Sequence, residues 1–133
     1  MSAPYARVAL IGLGLIASSM AQAIRRSGLA GHVAGHARSA ETRAVAAEIR
    51  LCDSVHETAA AAVAGADLVV LCVPVGAMGA VAAEIGPCLA PGATVSSHMS
   101  LSPGILALGF RLVDGLAQIA GPLGGALVWS TEI

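Results

Sequence analysis

An apolar run, a pair of glycines and a helical stripe follow one another near the start of the chain, and this succession constrains the fold most. Residues 7–11, RVALI, have the length and branched side chains of a buried strand. Gly12-Leu13-Gly14 ends that run. Over residues 15–27 the apolar side chains Ile16, Met20 and Ile24 recur every four residues, as on one face of a helix. The unit is predicted to be strand, glycine turn and helix.

The same alternation continues to residue 97. Further strands are predicted at residues 32–37, 54–56, 67–73 and 93–97, and further helices at residues 39–49, 57–64 and 78–85. Ser39 is predicted to cap the second helix, with Val45 and Ile49 facing inward. The segment 67–73, DLVVLCV, is apolar on both faces, as in a central parallel strand.

Strands and helices that alternate with short connections favour right-handed crossovers and a parallel sheet covered on both faces. We therefore assign residues 1–97 to one α/β domain, a doubly wound parallel sheet of the Rossmann-like type. Residues 98–133 lack the alternation. One helix is predicted there, at residues 105–120, and the rest is rich in glycine and has no clear period. We expect an irregular or partly helical tail.

Composition excludes several classes of protein. Hydrophobic residues make up 56% of the 133, which raises the question of a membrane span. The longest uncharged apolar run before the tail, residues 68–83, is shorter than the roughly 20 residues that a span needs, and it contains Pro74, Gly76 and Gly79. The N-terminal sequence lacks the features of a signal peptide. We expect no membrane partner and a cytoplasmic location.

Charge and cysteine usage exclude further classes. The net charge is −1, and the chain has one Tyr, one Phe and one Trp, so no nucleic-acid partner is expected. The three cysteines and four histidines show no metal-ligand spacing. We therefore predict neither a disulfide framework nor a metal site.

The turn GLGLIA, residues 12–17, fits the dinucleotide fingerprint G-x-G-x-x-G/A in its required place between a strand and a helix. Gly12 permits the tight turn, Gly14 lets a pyrophosphate approach the backbone, and Ala17 keeps the helix close to the sheet. The helix start offers free N–H groups to the phosphates. The alternative is a strand–helix turn without a ligand. The predicted cofactor-binding residues of this turn are Gly12, Leu13, Gly14, Leu15, Ile16 and Ala17.

The end of the second predicted strand bears on which dinucleotide binds. Proteins that bind NAD usually carry an acidic residue there for the ribose 2′-OH. Here the sequence is GHARSAE, with no acid near Ala37. Arg38 can pair with a 2′-phosphate, and Ser39 can add a hydrogen bond, which favours NADP over NAD. In the alternative interpretation, Arg38 is a solvated surface charge and Ser39 only a helix cap.

A third candidate segment follows the strand predicted at residues 67–73. Ligands of doubly wound sheets bind beyond the carboxyl ends of the strands. Val73, Pro74 and Val75 would therefore lie beside the adenosine or ribose of the cofactor. A proline that ends a strand without touching a ligand is the alternative.

Three segments together resemble the N-terminal domain of prephenate/arogenate dehydrogenases. They are VALIGLGLIASSMAQAIRRSGL, GHARSAETRAVAAE and GADLVVLCVPVGAM, and the resemblance covers residues 6–96. Members of this family typically read GLGLIGSS in the glycine turn, where this chain has Ala17 in place of the usual glycine. The related 6-phosphogluconate-dehydrogenase-like reductases share the general pattern but less of the local sequence.

The resemblance implies an NAD(P)-dependent oxidoreductase of tyrosine biosynthesis. Such an enzyme oxidatively decarboxylates a small molecule, prephenate or arogenate, and passes a hydride to the nicotinamide. The match ends near Ser96. Where the family continues D-V-G-S-V-K, only Ser100 matches, and residues 98–133 contain no G-H-P-x-A-G segment with the family's catalytic histidine. The family's helical C-terminal domain is not matched either.

The sequence therefore predicts the cofactor-binding domain of such an enzyme, with no catalytic residue assigned and its activity on its own left open. Two alternatives remain: a non-catalytic dinucleotide-binding module, and a related reductase acting on another small substrate. An apolar tail that does not complete a core would expose hydrophobic surface and favour self-association.

Overall fold

A computed structural model describes residues 3–97 of the chain. The strands are β1 (Tyr5–Ile11), β2 (Ala30–His36), β3 (Ser54–His56), β4 (Leu68–Leu71) and β5 (Thr94–Ser97). The helices are α1 (Leu15–Ser27), α2 (Ala40–Glu48), α3 (Ala59–Val63) and α4 (Val75–Ile85), followed by a short 3₁₀ helix (Gly86–Cys88).

The strands form one sheet in the order β3-β2-β1-β4-β5, and every neighbouring pair is parallel. Val8 of β1 lies in register with Val33 of β2 on one side and Leu68 of β4 on the other. The chain moves outward from β1 through β2 to β3 and then returns past β1 to β4 and β5. The predicted α/β doubly wound sheet is thereby confirmed, and its order reverses between β1 and β4.

Each face of the sheet buries its own apolar cluster. Helices α1 and α2 cover one face, and α3 and α4 cover the other. Successive strand residues point to opposite faces, so β1 contributes to both clusters. The first cluster includes Val8, Leu10, Ala17, Ile24 and Val70, and the second includes Ala9, Ile11, Leu71, Met78 and Ile85. Strands buried on both sides explain the high apolar content of the sequence.

Two expectations about helix faces are wrong. Helix α1 buries Ala17, Ala21 and Ile24, whereas Ile16 is 49% exposed. Helix α2 buries only Ala46, and Val45 and Ile49 are 50% and 62% exposed. The reason for the second error is geometric, because α2 covers the sheet edge formed by the three-residue β3 and has little surface to bury against.

The predicted helix at residues 105–120 and the whole tail, residues 98–133, lie outside the described residues. Within residues 3–97, no helix has both the length and the apolar character needed to cross a membrane.

Candidate functional site

The turn after β1 is held against both neighbouring strands. The Gly12 N–H donates to the His36 carbonyl at the end of β2, with an N···O distance of 2.7 Å. Gly12 has φ +95°, and a Cβ there would lie 2.6 Å from the Cys72 carbonyl oxygen just beyond β4. Only glycine fits this conformation and this contact. The fold itself therefore requires Gly12.

Gly14 has a different status, because the fold does not require it. Its φ of −91° is open to any residue, and a Cβ there would have no atom of residues 3–97 within 4 Å. Within this part of the chain, the absence of a side chain leaves open space directly over the backbone where α1 begins. A glycine that is not needed for conformation or packing suits a site where a ligand approaches the main chain.

The other residues of the turn divide into buried and exposed pairs. Ala17 is fully buried beneath α1, and Leu13 is buried with its methyl groups against Gly35 of β2. Leu15 and Ile16 are 86% and 49% exposed. Ala17 and Leu13 thus fix the helix and the turn to the sheet, while Leu15 and Ile16 stand at the open end of α1.

The start of α1 has backbone hydrogen-bond donors without an acceptor among residues 3–97. Its first intrahelical bond runs from the Ser18 N–H to the Gly14 carbonyl, so the earlier N–H groups have no helical acceptor. Gly14 provides no side-chain cap, and the first turn has no acidic residue. The free N–H groups and the helix dipole together make this end attractive to an anion.

The starts of α2 and α3 differ from that of α1, because side chains occupy them. Ser39 Oγ accepts from the Thr42 N–H at 3.3 Å at the start of α2. Thr58 Oγ1 accepts from the Ala61 N–H at 3.1 Å at the start of α3, where Glu84 Oε2 also accepts from the Ala60 N–H at 3.0 Å.

Helix α4 also begins without a side-chain cap, at Pro74. It follows β4, which is the strand next to β1. The half-buried Val73 lies close to the glycine turn, since a Cβ on Gly12 would be 3.1 Å from Val73 Cγ1. Pro74 is exposed, and Val75 begins the helix. The two uncapped helix starts thus follow the two strands between which the sheet order reverses.

The loop from β2 to α2 carries the remaining predicted residues, Arg38 and Ser39. Ala37, where an acid would bind a ribose hydroxyl, is 5% exposed and packs into the core. Arg38 is exposed, and its guanidinium has no hydrogen bond or ion pair with any of residues 3–97. Ser39 caps α2 as predicted, which leaves its hydroxyl hydrogen available to another acceptor.

Arg43, which is not among the residues predicted from the sequence, reaches back over this loop. Its Nη1 donates to the carbonyl oxygens of Ala37 at 2.8 Å and Arg38 at 2.9 Å. One signal in the sequence could have identified it. Arg43 lies in the first turn of α2, where a cation opposes the helix dipole, so a compensating contact was to be expected.

A chain of polar side chains joins β1, β2 and β3 on the face that carries α3. His32 Nε2 and His56 Nε2 each lie 2.8 Å from Ser54 Oγ, and Arg7 Nη2 lies 3.4 Å from His56 Nε2. A guanidinium only donates, so His56 Nε2 accepts, and the Ser54 hydroxyl then donates to His56 and accepts from His32. Burial, Arg7, His32 and His36 lower the pKa of His56, which agrees with a neutral ring.

His36 links this chain to the glycine turn. Its Nδ1 donates to the His56 carbonyl at 2.9 Å, and its own carbonyl accepts from the Gly12 N–H, so the end of β3 is tied to the turn after β1.

Two cysteines near the sheet are poor nucleophiles. Burial raises the pKa of the Cys72 thiol to about 11. Burial and the Asp53 carboxylate raise the pKa of the Cys52 thiol to about 11, although the charge of Arg25 acts to lower it. Both thiols therefore stay protonated near neutral pH, as packing residues. No three His, Cys, Asp or Glu side chains among residues 3–97 are grouped to hold a metal ion.

The donors of this region fit a dinucleotide. The open backbone at Gly14 and the uncapped N–H groups of α1 suit a pyrophosphate, and the exposed Arg38 guanidinium suits a second anionic group. All of them lie near the carboxyl ends of β1, β2 and β4, where ligands of such sheets bind.

Solved structures with the same fold include several dehydrogenases. Aquifex aeolicus prephenate dehydrogenase, solved with hydroxyphenyl propionate and NAD+, has a TM-score of 0.71 and 22% identity, over 82% of this chain and 38% of that one. Synechocystis arogenate dehydrogenase has a TM-score of 0.70 and 27% identity, over 81% of this chain and 38% of that one.

Sequence comparison gives the family. The cyclohexadienyl dehydrogenase of Zymomonas mobilis is 44% identical over 85 residues, which are 64% of this chain and 29% of that protein. The chain thus spans about a third of the length of these relatives. The family model described as "prephenate dehydrogenase, nucleotide-binding domain" matches residues 20–102, which is more than half of the chain. The chain therefore belongs to the prephenate dehydrogenase family, through its nucleotide-binding domain.

Proposed function

We propose that this chain binds NADP in preference to NAD, as the cofactor domain of a dehydrogenase that acts on prephenate or arogenate. One observation carries the proposal. Among the α-helices of residues 3–97, the two without side-chain caps, α1 and α4, both begin where the sheet order reverses, and α1 begins at an open glycine. Helix starts that are left open to anions beside a switch point form the standard geometry of a dinucleotide site.

The residues have separate roles in this proposal. The backbone of residues 12–17 binds the pyrophosphate, with Gly14 allowing close approach and Leu15 and Ile16 packing against the cofactor from the exposed side. Val73, Pro74 and Val75 form the opposite wall, beside the adenosine. When bound, the dinucleotide supplies the nicotinamide that accepts a hydride, and the chain binds and orients it.

The preference for NADP rests on the loop after β2. Ala37 is apolar and buried where an acidic side chain would select the ribose 2′-OH. The Arg38 guanidinium has no partner within residues 3–97, and Ser39 has a hydroxyl hydrogen to donate. A 2′-phosphate can accept from both and is opposite in charge to Arg38, whereas a 2′-OH offers Arg38 neither a negative charge nor a bidentate acceptor.

The substrate class comes from the relatives. Proteins named arogenate dehydrogenase and cyclohexadienyl dehydrogenase are 27% and 44% identical to this chain over their aligned regions. We propose the same oxidative decarboxylation, in tyrosine biosynthesis and in the cytoplasm, as the activity to which this domain contributes. No catalytic residue is assigned, and the self-association expected from the apolar tail concerns residues 98–133, which lie outside the described residues.

Titration of the purified chain with NADPH and NADH, followed by nicotinamide fluorescence or calorimetry, tests the proposal. We expect NADPH to bind more tightly. Arg38→Asp should weaken NADPH binding at least about tenfold, because it replaces an attractive charge by a repulsive one, and should leave NADH binding nearly unchanged. Arg26→Asp is the matched control, since Arg26 is exposed in the last turn of α1 and has no hydrogen bond with any of residues 3–97.

The outcomes separate the candidate functions. No binding of either dinucleotide at millimolar concentration contradicts the proposal. Tighter binding of NADH than of NADPH contradicts only the proposed preference for NADP over NAD. Binding of NADPH without turnover of prephenate or arogenate agrees both with a cofactor domain that contributes to a longer enzyme and with the non-catalytic module, whereas turnover of another small substrate favours the related reductase.

A further inference from the structure

The segment that joins β2 to α2 is held by a side chain from the helix it precedes. Arg43 Nη1 lies 2.8 Å from the Ala37 carbonyl oxygen and 2.9 Å from that of Arg38. A single N–H₂ group thus bonds two consecutive carbonyls. These contacts fix the orientation of the two peptide groups that flank Arg38.

The position of Arg43 in α2 needs such a compensation. It is the fourth residue of a helix that starts at Ala40, so its charge lies near the positive end of the helix dipole. Helical side chains point back toward the helix N-terminus, which brings the guanidinium over the loop. The side chain is half-buried there, and the two loop carbonyls accept its hydrogen bonds.

The consequence of this contact falls on Arg38. Its guanidinium has no partner among residues 3–97, so only the backbone directs it. Ser39 caps α2 one residue later, which fixes the other side of the same loop. Arg43 and the Ser39 cap together hold the backbone of a three-residue loop whose outward side chains are one cation and one hydroxyl.

We propose that Arg43 is a positioning residue for cofactor selectivity: by bonding the Ala37 and Arg38 carbonyls, it holds Arg38 toward the 2′-phosphate of the adenosine ribose. The inference rests on the proposed function and adds a residue that the glycine fingerprint does not contain. Arg43 acts through the loop backbone, and Arg38 makes the contact with the phosphate.

The test compares Arg43→Met, Arg43→Lys and the unchanged chain. Methionine keeps an apolar stem of similar length but removes the donors, and lysine restores a charged donor without the planar fork. The probes are adenosine 2′,5′-bisphosphate and adenosine 5′-monophosphate, which differ only in the 2′-phosphate. Calorimetry gives both affinities, and thermal unfolding gives the stability of each variant.

Arg25→Met is a matched control. Arg25 Nη2 donates to the Arg50 carbonyl at 2.6 Å and to the Leu51 carbonyl at 3.4 Å, so the substitution removes the same kind of contact elsewhere. If Arg43 had a merely structural role, Arg43→Met and Arg25→Met would behave alike. Each would lose some stability, and each would change the affinity for both probes equally.

We expect Arg43→Met to weaken binding of the bisphosphate about tenfold and binding of the monophosphate less than about twofold. The affinities of Arg43→Lys should lie between those of Arg43→Met and the unchanged chain. Suppose that the unchanged chain binds the bisphosphate, but that Arg43→Met weakens the binding of both probes equally or of neither. This result would overturn the role of Arg43 and would leave the proposed function standing. If the unchanged chain binds neither NADPH nor the bisphosphate, the proposed function fails, and this inference fails with it.

Discussion

A Cβ atom on Gly12 would lie 2.6 Å from the carbonyl oxygen of Cys72, so the turn after β1 and the end of β4 pack backbone against backbone. Gly12 also has φ +95°, which L-residues with side chains rarely adopt. We expect Gly12→Ala to lower the free energy of unfolding by about 2–4 kcal/mol, because strain and overlap add. Urea denaturation of the variant measures the loss, and an unchanged midpoint would contradict this packing.

Gly14→Ala should separate binding from folding. Gly14 has an extended backbone, and a Cβ there meets no atom of the described residues within 4 Å, so stability should stay within about 1 kcal/mol of the unchanged chain. The new methyl group would occupy the space that a pyrophosphate needs. We expect NADPH affinity to fall at least about tenfold in a calorimetric titration. Undiminished affinity would place the phosphates elsewhere.

The caps of α2 and α3 offer a second matched pair. Ser39→Ala and Thr58→Ala each remove one side-chain acceptor at a helix start, and each should cost about 1 kcal/mol. Only Ser39 lies in the loop that we assign to the adenosine ribose. Ser39→Ala should therefore also weaken NADPH relative to NADH, while Thr58→Ala should leave that ratio unchanged. A shift of the ratio in Thr58→Ala would show that the effect comes from stability alone.

Much of this fold was predictable from the sequence because β1, β4 and α1 each carry a strong local signal. RVALI and DLVVLCV are apolar on both faces, and the glycines fix the turn between β1 and α1. The spacing of apolar residues predicted the wrong buried positions where burial depends on the neighbouring elements. Val45 and Ile49 are apolar and helically spaced, yet they are exposed because the three-residue β3 gives α2 little sheet to cover.

The candidate site was predictable only in part. The glycine turn follows from a local pattern, and the structure places it at the switch point of the sheet. The contact of Arg43 with the loop depends on how a side chain folds back, and the chain from His32 through Ser54 to His56 depends on strand register. Neither arrangement leaves a motif in the sequence.

Asp67 joins β4 to the start of β1, and its charge should matter at low pH. Its carboxylate accepts from the Ala6 N–H at 2.8 Å and the Arg7 N–H at 2.9 Å. Burial acts to raise the pKa of Asp67, but hydrogen bonds from the backbone of Arg7, Ala6 and Asp67 itself lower it overall, below the usual 3.8. The resulting stabilisation is present above pH 3.8 and is lost as the pH falls through the lowered pKa.

Asp67→Asn keeps one acceptor oxygen, so it should cost about 1–2 kcal/mol near neutral pH and should lose less stability than the unchanged chain on acidification. Urea denaturation between pH 6 and about pH 3 measures both effects. Glu57→Gln, which changes an exposed carboxylate with no hydrogen bond to any of residues 3–97, should retain the original pH dependence. Equal pH dependence in Asp67→Asn would contradict the assignment.

His56 should make stability fall at mildly acidic pH. Burial, followed by the charges of Arg7, His32 and His36, lowers its pKa from the ordinary 6.5. In the unfolded chain the ring takes up a proton near pH 6.5, while in the folded chain, where it accepts from Ser54 and Arg7, it does so only at a lower pH. The stabilisation is therefore complete above pH 6.5 and is lost as the pH falls from there through the lowered pKa.

His56→Gln keeps an acceptor oxygen for these donors and removes the titration. Denaturation midpoints between pH 7.5 and about pH 5 should fall less steeply in His56→Gln than in the unchanged chain. Thr58→Ala loses stability at a position without a titrating group, so it should keep the original slope. Parallel slopes in His56→Gln and the unchanged chain would mean that His56 is protonated equally in both states, and that Arg7 and Ser54 do not hold it neutral.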